Sequence, residues 1–284
     1  MKFIYFLFFT AIIFLVPVQS AFAQLLITPL QVVMEERQRS TTIVLVNTGD
    51  RSNTYRLKWE QFVQVDELGG YAPIEEKDKY GVVLSENYRN LKDFAVFTPR
   101  QITLAPNEKQ TMRVAVRRPA DLPDGEYKSH LKFQVLPDNS DGGVRQDNSL
   151  EDKVRFGARV NASFSIPVVY RVGEYDVNVE IQQPEFSVNE KSGTLNIKVP
   201  VKRSGMHGVI GLIEAYYRPK DGNEVLIGSV SNSNLFPELN VRNITVPTSQ
   251  FGFNPGNLRL VFFKAEGQRN DYVVMDELNV PVSN

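Results

Sequence analysis

The chain has 284 residues, with 32 basic side chains against 33 acidic ones, two histidines and no cysteine. Charge that is dispersed and nearly balanced offers nothing to nucleic acid or an anionic membrane, and without cysteine there are no disulfides and no thiolate chemistry. The length suits two hydrophobic cores, held by packing alone.

Met1 to Ala23 reads as a signal peptide. Lys2 supplies the positive start, Phe3 to Val16 is almost wholly apolar, and Ala21-Phe22-Ala23 is a small-x-small cleavage site. The mature chain is expected to begin at Gln24, to be exported, and not to insert in a membrane. No later stretch is long and apolar enough to span one.

From Leu25 onward the pattern is strands and turns. Leu26-Ile27-Thr28-Pro29 and Val32-Val33-Met34 read as one first strand that Pro29 breaks or confines to an edge. Ser40 to Val46 is a second strand, ended by the turn residues Asn47-Thr48-Gly49-Asp50. Tyr55 to Phe62 alternates and carries Trp59, which is expected in the core. Val65 to Asn90 is polar and mixed, and reads as a hairpin tip at Leu68-Gly69-Gly70-Tyr71 followed by a loose charged connection. Phe94 to Phe97, Gln110 to Val116 and Tyr127 to Val135 are further strands, and Asp138 to Gly143 is the most flexible-looking loop.

The stretch Arg155 to Tyr170 is the longest alternating one. Phe156, Ala158, Val160, Ala162, Phe164, Ile166 and Val168 are apolar, and up to Ser165 the intervening positions carry no large apolar group. Opposite faces of a strand receive alternate side chains, so this is a strand of about twice the usual length with one dry face. It is either the last strand of a sandwich, buried along that face, or a strand whose first half protrudes and can pair with another chain.

Val172-Gly173-Glu174 punctuates the chain, and a new series of strands runs from Val177 to Val282, with a turn at Pro219 to Asn223. The expected fold is all-β: two immunoglobulin-like β-sandwich domains joined by a short linker, over residues 24–171 and 172–284. Two sandwiches on so short a linker meet at a cleft.

Enzyme chemistry is not expected. His130 lies mid-strand beside Leu131, His207 lies in the turn Ser204 to Gly208, and neither has a partner at metal-ligand spacing. No cofactor or metal is implied. Asn161-Ala162-Ser163 and Asn243-Ile244-Thr245 fit a glycosylation sequon, but both fall in expected strands and read as chance matches.

Several segments together resemble a known family. Ser40 to Asp50, the Pro-centred segment Phe97 to Val114, the strand that begins after Leu122-Pro123, and Tyr170-Arg171 at the domain junction are similar in kind and spacing to the periplasmic pilus-assembly chaperones, the PapD-like family of chaperone–usher systems. The resemblance covers about 150 residues and rests mainly on the first domain.

The resemblance implies two immunoglobulin-like domains in a boomerang arrangement and a periplasmic location. It implies that pilus or fimbrial subunits lacking their last strand are bound by the end of the first domain, through donor-strand complementation, and passed to an outer-membrane usher. Phe156, Ala158, Val160, Ala162 and Phe164 would form the subunit-binding strand. The family's two basic cleft residues, which hold the subunit's terminal carboxylate, correspond here to Gln31 and Pro167, and neither offers a cationic hydrogen bond. Arg171, Arg37 and Arg159 are the candidate replacements, and Arg171 has a second reading as an interdomain ion-pair partner. The alternative function is a secreted or cell-surface structural or adhesive protein built from the same sandwiches.

Overall fold

The computed structural model describes residues 25–65, 70–136, 163–266 and 271–283. Its first half contains β1 (Leu25–Thr28), β2 (Val32–Glu35), β3 (Ser40–Asn47), β4 (Asn53–Glu60), β5 (Phe62–Val65), β6 (Gly70–Pro73) and a 3₁₀ helix (Ile74–Tyr80). It continues through β7 (Ala95–Thr98), β8 (Gln101–Leu104), β9 (Lys109–Val116), β10 (Gly125–Leu136) and β11 (Ser163–Val172). One sheet has the order β1-β3-β9-β7 and the other β2-β11-β10-β4-β8. Their facing side chains, among them Ile43, Leu45, Met112 and Val114 against Leu57, Leu131, Phe133, Val168 and Tyr170, make one core.

The break at Pro29 is a change of sheet. β1 runs antiparallel to β3, whereas β2 runs parallel to β11, with Val32 opposite Val168. Both are edge strands, where a missing ladder donor at the corner does least harm.

Two expectations need correction. Trp59 is half-buried, packed on the core from its margin. Its indole N–H donates to the Ala95 carbonyl at 3.1 Å, and its ring meets Phe97 edge-on at 5.4 Å. A buried indole N–H needs an acceptor, and this one finds it on the opposite sheet, at the rim where the sheets close. The expected hairpin is present as the β5–β6 pair, but the connection that follows it is not loose. The 3₁₀ helix follows, and Val63, Val65, Ala72 and Val82 are buried as a small core of their own. Those four side chains are spread too far apart along the chain to show any period.

The second half contains β12 (Asn178–Ile181), β13 (Glu185–Val188), β14 (Leu195–Ser204), β15 (Gly211–Pro219), β16 (Val225–Val230), β17 (Val241–Pro247), β18 (Gly256–Glu266) and β19 (Asp271–Val282). β12 and β13 share one edge of β14 and β17 takes the other, while the facing sheet runs β16-β15-β18-β19. Ile197, Val199 and Val201 pack against Ile213, Leu258, Leu260 and Phe262. Gly211 has no alternative here, because a Cβ would lie 2.2 Å from the Phe262 ring. The sequon residue Asn243 lies within β17, as its strand pattern indicates.

Asn47 shows how the first core is closed at one end. It is fully buried, donates to the Leu104 carbonyl at 3.0 Å and the Arg51 carbonyl at 2.6 Å, and accepts from the Gly49 N–H at 3.0 Å. Alanine there would leave buried backbone groups without partners. Asn47→Ala is expected to cost about 2–3 kcal/mol in urea unfolding. A loss below about 0.5 kcal/mol would mean that water replaces the amide freely.

Candidate functional site

Strand β10 is buried on both faces. Tyr127, Leu131 and Phe133 enter the first core. Glu126, Lys128, His130 and Lys132 alternate with them and so point the other way. That outer face meets the second sandwich and the segment that includes β5, β6 and the 3₁₀ helix, and it supplies the interdomain site.

At its lower end Glu126 is fully enclosed. One carboxylate oxygen accepts from Arg171 Nε at 2.9 Å and from the Gly208 N–H at 3.0 Å. Arg171 Nη2 donates to the Gly208 carbonyl at 3.1 Å, Nη1 lies 3.6 Å from Glu35, and the guanidinium stacks over Tyr175 at 4.8 Å. The turn that presents Gly208 is held by Arg203, whose Nη1 donates to the carbonyls of Gly205 (2.7 Å) and His207 (3.0 Å). His207 is buried in the same turn. Its Nδ1 accepts from the Asp176 N–H at 3.1 Å, so Nε2 carries the proton and donates to the Val172 carbonyl at 3.1 Å.

One step along, Lys128 of the first sandwich forms an ion pair with Glu238 of the second, at 3% and 1% side-chain exposure. The ammonium also sits 4.2 Å from the Phe236 ring centre and 5.3 Å from that of Tyr71. Burial pulls the Lys128 pKa down, with Glu238 acting against it. Next comes His130, at 2% exposure, edge-on to Phe62 (5.2 Å) and Tyr71 (4.8 Å), with neither ring nitrogen hydrogen-bonded.

Gln31 and Pro167 do come together. Pro167 is opposite His130 in the ladder, and Gln31 immediately precedes the Val32–Val168 pair on the neighbouring strand. Gln31 Oε1 accepts from Asn234 Nδ2 at 3.1 Å, which makes it an interdomain contact. Arg171 stands four positions beyond Pro167 along β11, engaged as described. Arg37 is exposed outside this cluster, and Arg159 lies outside the described residues.

The upper part of β11 differs from the lower. β10 pairs with it from Ser163 to Val172, but β2 takes its other edge only from Val168 to Arg171. Among the described residues nothing pairs with that edge from Ser163 to Pro167. Phe164 packs on the core, and Ser163 and Ser165 are exposed. Phe156, Ala158, Val160 and Ala162, and the leader before Gln24, lie outside the described residues. No described helix is long and apolar enough to cross a membrane.

Reading the residues alone missed Glu126, Lys128, Glu238, Gln64 and Asn234. A usable signal was present for the first two. Glu126, Lys128, His130 and Lys132 alternate with apolar residues over a strand too long to leave one face wet.

No family model matches the sequence, and no curated protein matches it. Among solved structures the chain is similar to the YadV chaperone (11% identity, 91% of this chain and all of that one, TM-score 0.48). It is also similar to the CupB2 chaperone of Pseudomonas aeruginosa (11%, 91% and 100%, 0.43). A third is the CsuC–CsuE chaperone–tip adhesion subunit pre-assembly complex of Acinetobacter baumannii (16%, 89% and 98%, 0.40). Likeness at these scores carries no functional argument.

His130 generates a pH dependence. Burial first, and then the Lys128 charge, hold its imidazole well below the ordinary 6.5. The unfolded chain takes up a proton below that value and the folded chain does not. Stability is therefore lost as pH falls below about 6.5, by up to about 1.4 kcal/mol per unit from this group. Urea midpoints between about pH 7.5 and 5.5 should fall accordingly, and His130→Leu should flatten the slope. An unchanged slope in that variant would assign the proton uptake to another group.

Proposed function

We propose that this protein is a periplasmic chaperone that captures incomplete pilus or fimbrial subunits with the upper part of β11 and its upstream continuation, and delivers them to an outer-membrane usher. The observation that carries this reading is the half-open edge of β11, which leads straight into the alternating stretch Phe156 to Phe164. A subunit lacking its final strand exposes an apolar groove and unpaired backbone groups. A strand with one dry face satisfies both, by burying alternate side chains and completing the ladder. Phe156, Ala158, Val160, Ala162 and Phe164 are the proposed donor residues.

In this reading the cleft beside Gln31 and Pro167 receives the end of the client. Two cations of this cluster are already engaged, Lys128 by Glu238 and Arg171 by Glu126. Arg171 thus acts first in joining the sandwiches. Arg171→Ala would leave Glu126 enclosed without its countercharge, at a cost of about 3–5 kcal/mol. The expected result is a clearly lower melting temperature, with client affinity per folded molecule little changed. Lost affinity at unchanged melting temperature would instead make Arg171 the client's anchor.

The donor strand has a sharper test. Val160→Asp would place an unpaired charge in an apolar groove, which is costly whatever the client's sequence. Asn161→Asp changes the opposite face. Co-purification with a co-expressed subunit should be abolished by the first substitution and survive the second, with both proteins folded by circular dichroism. If Val160→Asp unfolds the isolated protein, Val160 belongs to the protein's own core and the client surface lies elsewhere.

A further inference from the structure

Besides the chain around Gly173 and the direct contacts of Gln31, Glu126, Lys128 and Arg171, the two sandwiches are joined through a second segment, residues 61–65 and 70–94. We infer that this second segment is a strap that fixes the sandwiches in one mutual orientation, gripping residues 234–239 of the second sandwich while rooted on β10 of the first. The inference stands apart from the identity of any client.

Each end of the strap is held by hydrogen bonds. On the first sandwich, Gln61 Nε2 donates to Ser129 Oγ at 2.7 Å and the Lys128 N–H donates to the Arg89 carbonyl at 3.1 Å, while Gln61 also donates to Asn90 Oδ1 at 2.8 Å within the strap. On the second, the buried Gln64 amide copies a neighbouring strand. Its Nε2 donates to the Asn234 carbonyl at 2.7 Å and its Oε1 accepts from the Phe236 N–H at 3.1 Å. Ser85 continues the pattern, with its N–H on the Glu238 carbonyl at 2.9 Å and its hydroxyl on the Pro237 carbonyl. The strap's small core is completed by Leu239, a residue of the second sandwich.

The strap also covers the Lys128–Glu238 pair, through Tyr71. Relative motion is the default for domains in one chain. Here any hinge opening would strip Gln64 and the 234–238 backbone of buried partners, each loss costing more than the bond contributes when made. Rotation is therefore confined for as long as the strap grips.

The absence of cysteine makes the test direct. Spin labels at Arg56→Cys and Lys202→Cys, both exposed and one on each sandwich, report the distance distribution by pulsed dipolar spectroscopy. The parent should give one narrow distance and one thermal transition. Gln64→Ala combined with Ser85→Ala should broaden the distribution roughly twofold and split the transition, with far-ultraviolet circular dichroism preserved. Lys128→Met combined with Glu238→Leu removes both charges and leaves the strap's bonds, so the distance should stay narrow. A broad distribution in the parent would overturn the inference, whether or not the variants fold. So would a narrow one that survives Gln64→Ala with Ser85→Ala, or one that broadens only when the ion pair is replaced.

Discussion

Everything around the cleft follows from burying charge on the second face of β10. Glu126, Lys128 and His130 alternate with core residues, so they must share one face, and that face is covered. An ion taken out of water costs several kcal/mol unless a countercharge and hydrogen bonds replace its hydration. Glu126 finds Arg171 on the adjacent strand and the Gly208 N–H in the second sandwich. Lys128 finds Glu238, which is wholly outside its own sandwich. His130 remains neutral between two aromatic rings. The first sandwich thus cannot satisfy its own sheet face, and the second sandwich supplies the missing partners.

Much of the fold was legible because it rests on local alternation. The all-β class, the turn at Asn47 and most strands follow from period-two patterns bounded by Gly, Pro and Asn. What escaped was whatever depends on a distant partner. Pro29 announced a break, but a change of sheet involves β3 and β11, which sequence spacing does not reveal. Trp59 looked like core by residue type, yet the need of its N–H for the Ala95 carbonyl sets it at the rim. The strap was hidden because its small core joins Val63 and Val65 of β5 to Ala72 of β6, to Val82 beyond the 3₁₀ helix and to Leu239 of the other sandwich. The candidate site was legible in part. Gln31 and Pro167 lie side by side, and Arg171 is at the junction. The ion pairs that neutralise the cleft could not be read, because Glu238 lies 110 positions from Lys128.

The half-open edge of β11 has a geometric origin in the same early corner. β1 must stay with β3 as far as Thr28, and the chain must then reach a sheet about 10 Å away. Pro29, Leu30 and Gln31 are the bend that carries it across. Pairing with β11 begins at Val32, opposite Val168. Among the described residues the edge from Ser163 to Pro167 is left without a pairing strand by the place where the chain changes sheet. An open edge invites indiscriminate pairing. Here it is short and bears serines on its exposed positions. A partner strand at this edge would gain ladder bonds, and selection would rest on the fit of alternate side chains along the strand.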